Sequence, residues 1–215
     1  MSARRPAPAA VPARKGGGSG DGPGDGPREP REPRGGGSRP RLKLMRTGAH
    51  APHGAPRPVG VAIVTVSDTR GPHDDGSGAR AHEMFEHAGH EVVQRAWVRD
   101  EIPAIRKAVR ALLKRADVDA VLVTGGTGVA PRDVTPEALA PLFSRELPGF
   151  GELFRAKSVA QVGAAAWLSR ATAGVASGRL LVVLPGSTAA VELALESLLL
   201  PELAHAVRLL GRFQP

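Results

Sequence analysis

Two aspartates and a run of glycines carry most of the chemistry in this sequence. Thr124-Gly125-Gly126-Thr127-Gly128 leads through Val129-Ala130-Pro131-Arg132 to Asp133, with Val134-Thr135-Pro136-Glu137 next. Glycines permit close approach of a ligand and let successive N–H groups turn inward, which makes a concave anion site suited to phosphate. Thr124 and Thr127 add hydroxyl donors. A carboxylate such as Asp133 repels a bound phosphate unless a divalent cation joins the two. Mg²⁺ held by one or two carboxylates and substrate phosphates is the usual arrangement. Asp100 offers a second carboxylate, and an Asp100–Asp133 pair would make a metal site. Read alone, an Asp placed like Asp100 after a strand is most often a helix cap, and Asp68 reads still more readily as a turn residue.

Other chemistries lack support. The pattern GxxxxGK(S/T) is absent, and Gly126-Thr127-Gly128-Val129-Ala130-Pro131 carries Pro where a dinucleotide fingerprint needs Gly or Ala. His82/Glu86 and Glu83/His87 stand at the i,i+4 spacing of a helical zinc pair, but the HExxH order is missing. A solvated helix face is the better reading there. No GxSxG elbow supports Ser-His-Asp catalysis.

The elements that must position these residues can be read from hydrophobic patterning. Residues 59–66 form a short β-branched apolar run, typical of a strand buried on both faces. Ser77 is placed to cap a helix running to about Ala88, with Gly89 as its stop. Glu91 to Val98 reads as a second strand, with Arg99-Asp100 at its end and a helix over 102–115. Asp119 to Val123 is a third strand that runs into the glycine cluster. Helices are expected near 135–143 and 148–164, and strands near 167–175 and 179–184. The last strand ends at Pro185-Gly186-Ser187, before a long helix over 189–210. This alternation predicts an α/β fold, a three-layer domain with a mostly parallel central sheet flanked by helices. Ligands of open α/β sheets bind beyond the carboxyl ends of the strands. Ser67-Asp68, Arg99-Asp100, Thr124 to Asp133 and Pro185-Gly186-Ser187 should therefore converge.

The net charge of +8 at first suggests a nucleic-acid partner. Its distribution weighs against one. Residues 1–57 hold 12 Lys+Arg against 4 Asp+Glu, whereas residues 58–215 hold 17 of each. The leader is rich in Pro, Gly and Arg and nearly devoid of large apolar side chains, so a disordered arm ahead of a domain at 58–215 is expected. Met45 is an alternative start that would remove most of it. With no Cys there is neither a disulfide framework nor a thiolate metal site. No stretch approaches the roughly 18 apolar residues of a membrane span. A cytoplasmic protein is the expectation.

The same residues carry a resemblance. The sequence resembles the MoaB/MogA family of molybdenum cofactor biosynthesis proteins over about residues 58–210. The likeness rests on Val64-Thr-Val-Ser-Asp68, Asp74-Asp75-Gly-Ser-Gly78, Thr124 to Gly128, and Arg132-Asp133-Val-Thr-Pro-Glu137. Pro148-Gly-Phe-Gly-Glu152, Leu168-Ser-Arg-Ala171 and Leu184-Pro-Gly-Ser187 complete it. The resemblance implies a molybdopterin adenylyltransferase, in which ATP and molybdopterin give adenylyl-molybdopterin and pyrophosphate with Mg²⁺. It matches Asp100 and Asp133 to the family's two functional aspartates. It places Thr124, Gly125, Gly126, Thr127, Gly128, Pro185, Gly186 and Ser187 along the nucleotide and pterin-phosphate pockets, with Ser67 and Asp68 in the first loop. A homotrimer or hexamer is the implied assembly. Asp74-Asp75-Gly-Ser-Gly and Ala88-Gly-His-Glu-Val-Val look like the MoaB branch, in which not every member is active. Arg132-Asp133-Val-Thr-Pro-Glu and Asp100 look like the MogA branch. A catalytically silent molybdopterin-binding or scaffold protein is thus the alternative to an active enzyme.

Overall fold

The computed structural model describes residues 57–69, 71 and 73–212. Of the basic arm expected at 1–57, residues 1–56 lie outside the described residues. Six strands form one sheet in the order β2-β1-β3-β6-β5-β4. They are β1 (Gly60–Val66), β2 (Glu91–Val98), β3 (Ala120–Thr124), β4 (Arg145–Glu146), β5 (Thr172–Ala176) and β6 (Arg179–Leu184). β2, β1, β3 and β6 run parallel, while β5 and β4 add an antiparallel edge.

Alternation along the central strands feeds two cores. Val61, Ile63, Leu122, Val182 and Leu184 face α1 (Gly76–His87), α4 (Pro148–Val162), α5 (Thr188–Ala194) and α6 (Leu200–Leu209). Ala62, Val64, Val121, Val123 and Val183 face α2 (Ile102–Leu112) and α3 (Thr135–Leu139). Each fully buried Val, Leu or Ile contributes about 1.5–3 kcal/mol of transfer free energy. A sheet covered on both faces explains why β1 and β3 read as near-continuous apolar runs.

Register puts the strand ends level. Thr65 lies opposite Thr124, Thr124 opposite Leu184, and Val66 opposite Val98. The four loops that follow therefore emerge at one edge. At the other edge, buried Asp119 accepts the Gly60 N–H at 3.1 Å and pairs with Arg57 and Arg212.

Several local expectations change. Asp75, not Ser77, caps α1: its carboxylate accepts the Gly78 N–H at 2.8 Å, and the Ser77 hydroxyl donates to it. Asp100 does not cap α2, whose N-cap is Glu101 with no side-chain bond. The strand expected from 167 begins at Thr172, because Gly163–Leu168 coil as a 3₁₀ helix. The helix expected over 135–143 gives way after Leu139 to a 3₁₀ turn containing Pro141. The long final helix divides at a π-turn over Leu195–Leu199. Pro201 follows that turn, and its missing N–H cannot bond to the preceding turn.

Candidate functional site

Gly125 and Gly126 leave β3 with φ of +104° and +63°, a left-handed conformation that favours glycine. The Gly125 N–H donates to the Leu184 carbonyl at 3.0 Å, which carries the β3–β6 ladder one step past Thr124. The glycine strip then crosses two carboxylates. A Cβ on Gly126 would stand 2.7 and 2.8 Å from the oxygens of Asp100, and one on Gly128 would stand 2.7 Å from Asp133 Oδ2. Asp100 comes from the end of β2 and Asp133 from the loop after β3, so topology alone brings them to one strip.

Backbone amides hold both acids in place. Asp100 Oδ1 accepts the Val134 N–H at 3.3 Å, and Asp133 Oδ2 accepts the Ala130 N–H at 3.0 Å. Asp68 Oδ1 accepts the Asp100 N–H at 3.1 Å, and Asp68 also ion-pairs with Arg132 from across the cleft. The buried hydroxyls of Thr124 and Thr135 have no hydrogen-bond partner among the described residues, and Thr135 Oγ1 lies against Gly126.

The strip floors a cleft of about 640 Å³. Of the residues expected from sequence, Ser67, Asp68, Asp100, Gly125, Gly126, Thr127, Gly128, Asp133, Pro185, Gly186 and Ser187 line it. Thr124 lies fully buried beneath it. Ser187 has a second task, since its hydroxyl accepts the Ala190 N–H at the start of α5. Arg132, Leu168 and Ser169 also line the cleft without having been assigned a role. Among the described residues lining the cleft, Arg132 is the one cation. Its place beside Asp133 in the sequence was the available signal. His82, from the rejected zinc pattern, pairs with Glu86 on α1.

Electrostatics distinguish the buried acids. Burial pushes Asp75 up, but bonds from Gly78, Thr65, Arg95 and Ser77 outweigh it and hold the carboxyl below its ordinary value. Asp100 goes the other way: burial, reinforced by the charge of Asp133, raises it despite the Val134 N–H. A raised folded-state value means that ionised Asp100 weakens the fold above that value. The penalty fades as pH falls through it. Asp100→Asn is therefore expected to raise the thermal midpoint at neutral pH, with the gain shrinking in acid. Melting curves across that range check this, and a lower midpoint at neutral pH would contradict it.

Comparison with known proteins identifies the family. Residues 62–205 match the family model described as a probable molybdopterin binding domain. The chain is 49% identical over 155 residues to molybdenum cofactor biosynthesis protein B of Bacillus subtilis, covering 72% of this chain and 91% of that one. The Escherichia coli K12 protein of the same name is 47% identical over 151 residues, covering 70% and 89%. A crystal structure of molybdenum cofactor biosynthesis protein B superposes with a TM-score of 0.72 at 45% identity, covering 74% of this chain and 100% of that one. The chain belongs to the MoaB/MogA family of molybdenum cofactor biosynthesis proteins. In this MoaB/MogA protein, both aspartates and the whole glycine strip fall within the matched span.

Proposed function

We propose that this protein adenylylates molybdopterin. The terminal phosphate of the pterin attacks the α-phosphorus of ATP, the bond to the β-phosphate oxygen breaks, and pyrophosphate leaves. The observation that carries this reading is the seating of Asp100 against Gly126 and Asp133 against Gly128, in one cleft with Arg132. No side-chain nucleophile is needed for such a transfer, so positioning and charge neutralisation do the work.

The donor set suits Mg²⁺. Among the described residues no trio of His, Asp or Glu gathers into a metal site. Two carboxylates supplemented by substrate phosphates are nevertheless what Mg²⁺ takes. Asp100 and Asp133 would hold the ion, and its charge would offset that of the departing pyrophosphate. The protein's own groups do the rest. Backbone N–H groups of the glycine strip bind phosphate, Arg132 neutralises it, and the Pro185-Gly186-Ser187 loop closes the far wall.

Arg132 exchanges its Asp68 partner for ligand phosphate in this scheme. A charge-assisted hydrogen bond contributes about 1.5–3 kcal/mol, so Arg132→Ala should raise KM for ATP roughly 10- to 100-fold. Steady-state titration of ATP measures it, and an unchanged KM would remove Arg132 from phosphate binding.

The test of the activity itself is pyrophosphate release from ATP in the presence of molybdopterin. Turnover by the wild type that is no faster than by Asp133→Ala would favour the silent, pterin-binding reading. The assembly we propose is a homotrimer or hexamer. The exposed side chains of Leu153, Val159, Val162 and Trp167, all on α4 and the 3₁₀ turn after it, support an interface there. Among the described residues no helix is long and apolar enough to cross a membrane. A cytoplasmic site, where ATP is at hand, belongs to the same proposal.

A further inference from the structure

Arg170 lies on the segment before β5, outside the cleft, yet it makes three contacts to the loop that forms the cleft floor and a fourth to α3. Its N–H donates to the Thr127 carbonyl at 3.1 Å. Its Nε donates to the Gly128 carbonyl at 2.9 Å and its Nη2 to the Asp133 carbonyl at 2.5 Å, while Nη1 pairs with Glu137. One residue therefore fastens both ends of the segment from 127 to 137. A planar fork with several donors can do this, whereas the single ammonium of lysine cannot.

The direction of these bonds matters more than their number. In a trans peptide the C=O and the following N–H point opposite ways. Drawing the Asp133 carbonyl towards Arg170 turns the Val134 N–H away from it, and that N–H donates to Asp100. By the same geometry, drawing in the Thr127 and Gly128 carbonyls turns the Gly128 and Val129 N–H groups away from Arg170. Neither of those two N–H groups donates to a backbone acceptor among the described residues. Gly128 lines the cleft, Asp133 lines both the cleft and a groove behind the loop, and Arg170 lines that groove with Val129, Val134 and Glu137.

We infer that Arg170 is the positioning residue of the phosphate cradle. It holds three carbonyls behind the loop so that the N–H groups of Gly128 and Val129 face the ligand and that of Val134 faces Asp100. Its contact with Glu137 adds an anchor for the fork and takes no part in aiming the amides.

The role rests on the nucleotide reading above, and two measurements separate their fates. ATP binding with Mg²⁺ is followed by calorimetry for wild type, Arg170→Lys and Glu137→Gln, and amide hydrogen exchange is followed over 127–137 without ligand. Small misplacements of binding groups can cost about 100-fold, so Arg170→Lys should lose roughly 10- to 100-fold in ATP affinity. Its thermal midpoint should fall by only a few degrees, and exchange at Gly128, Val129 and Val134 should quicken. Glu137→Gln keeps an acceptor and should bind within a few-fold of wild type. Wild-type binding with an unchanged Arg170→Lys variant overturns this inference alone, as does equal weakening of both variants. Wild type that binds no ATP overturns the nucleotide reading, and the inferred role falls with it.

Discussion

Asp133→Ala should lower the rate of pyrophosphate release by about 100-fold or more, the scale seen when one preorganised electrostatic contact to a developing charge is removed. The fold should survive this change. Asp133 is partly exposed, and its carboxylate makes one local bond, to the Ala130 N–H at 3.0 Å. Asp133→Asn sharpens the test, because an amide oxygen can still accept that N–H while the charge is gone. Equal losses in Ala and Asn variants would assign the effect to charge. A loss confined to the Ala variant would assign it to loop shape. Asp100→Asn should fall with Asp133→Asn in activity even though it gains stability, since both acids serve one function. A double variant should then lose little beyond either single one.

Gly125→Ala should damage the fold itself. Gly125 holds φ at +104°, and an added Cβ would overlap the backbone carbonyl oxygen of Val66 at the end of β1. The left-handed conformation costs about 1–2 kcal/mol for a side chain, and overpacking against rigid backbone about 1–3 more. For a domain of this size, each kcal/mol moves the thermal midpoint roughly 2–4 °C, so a fall of about 5–15 °C is expected by calorimetry. Gly126→Ala makes a useful contrast. Its φ is also positive, but its Cβ would meet side-chain ends, the movable carboxylate of Asp100 and the hydroxyl of buried Thr135, rather than backbone. Activity should suffer there more than stability. If both variants melted like wild type, the close packing of this turn would be contradicted.

Much of this was legible because parallel strands buried on both faces leave a strong trace. β1 and β3 are near-continuous apolar runs, and each is followed at once by polar or glycine residues. Once the sheet is parallel, the loops after Val66, Val98, Thr124 and Leu184 must share an edge, which is what directs Asp100 and Asp133 to the same end of the sheet. Local ambiguity explains most of the rest. Asp75 and Ser77 are both good caps, and the bonds that Thr65 and Arg95 donate from distant positions favour Asp75. β4 is two residues long and carries no periodicity. Arg170 stands in a motif of the resemblance, but its task was not legible for a different reason. Its partners are mostly carbonyl oxygens, which every residue possesses, 37 and 42 positions away for Asp133 and Gly128. Nor does sequence spacing reveal that Arg132 reaches back to Asp68.

The central claim is that Asp100 and Asp133 act together on a nucleotide bound at the glycine strip. A crystal structure of the protein with Mg²⁺ and a non-hydrolysable ATP analogue tests it most directly. The account predicts phosphate density over Gly126 to Gly128 and one metal ion contacted by both carboxylates. Nucleotide bound elsewhere, or seated on the strip with Asp100 and Asp133 sharing no ion, would contradict it.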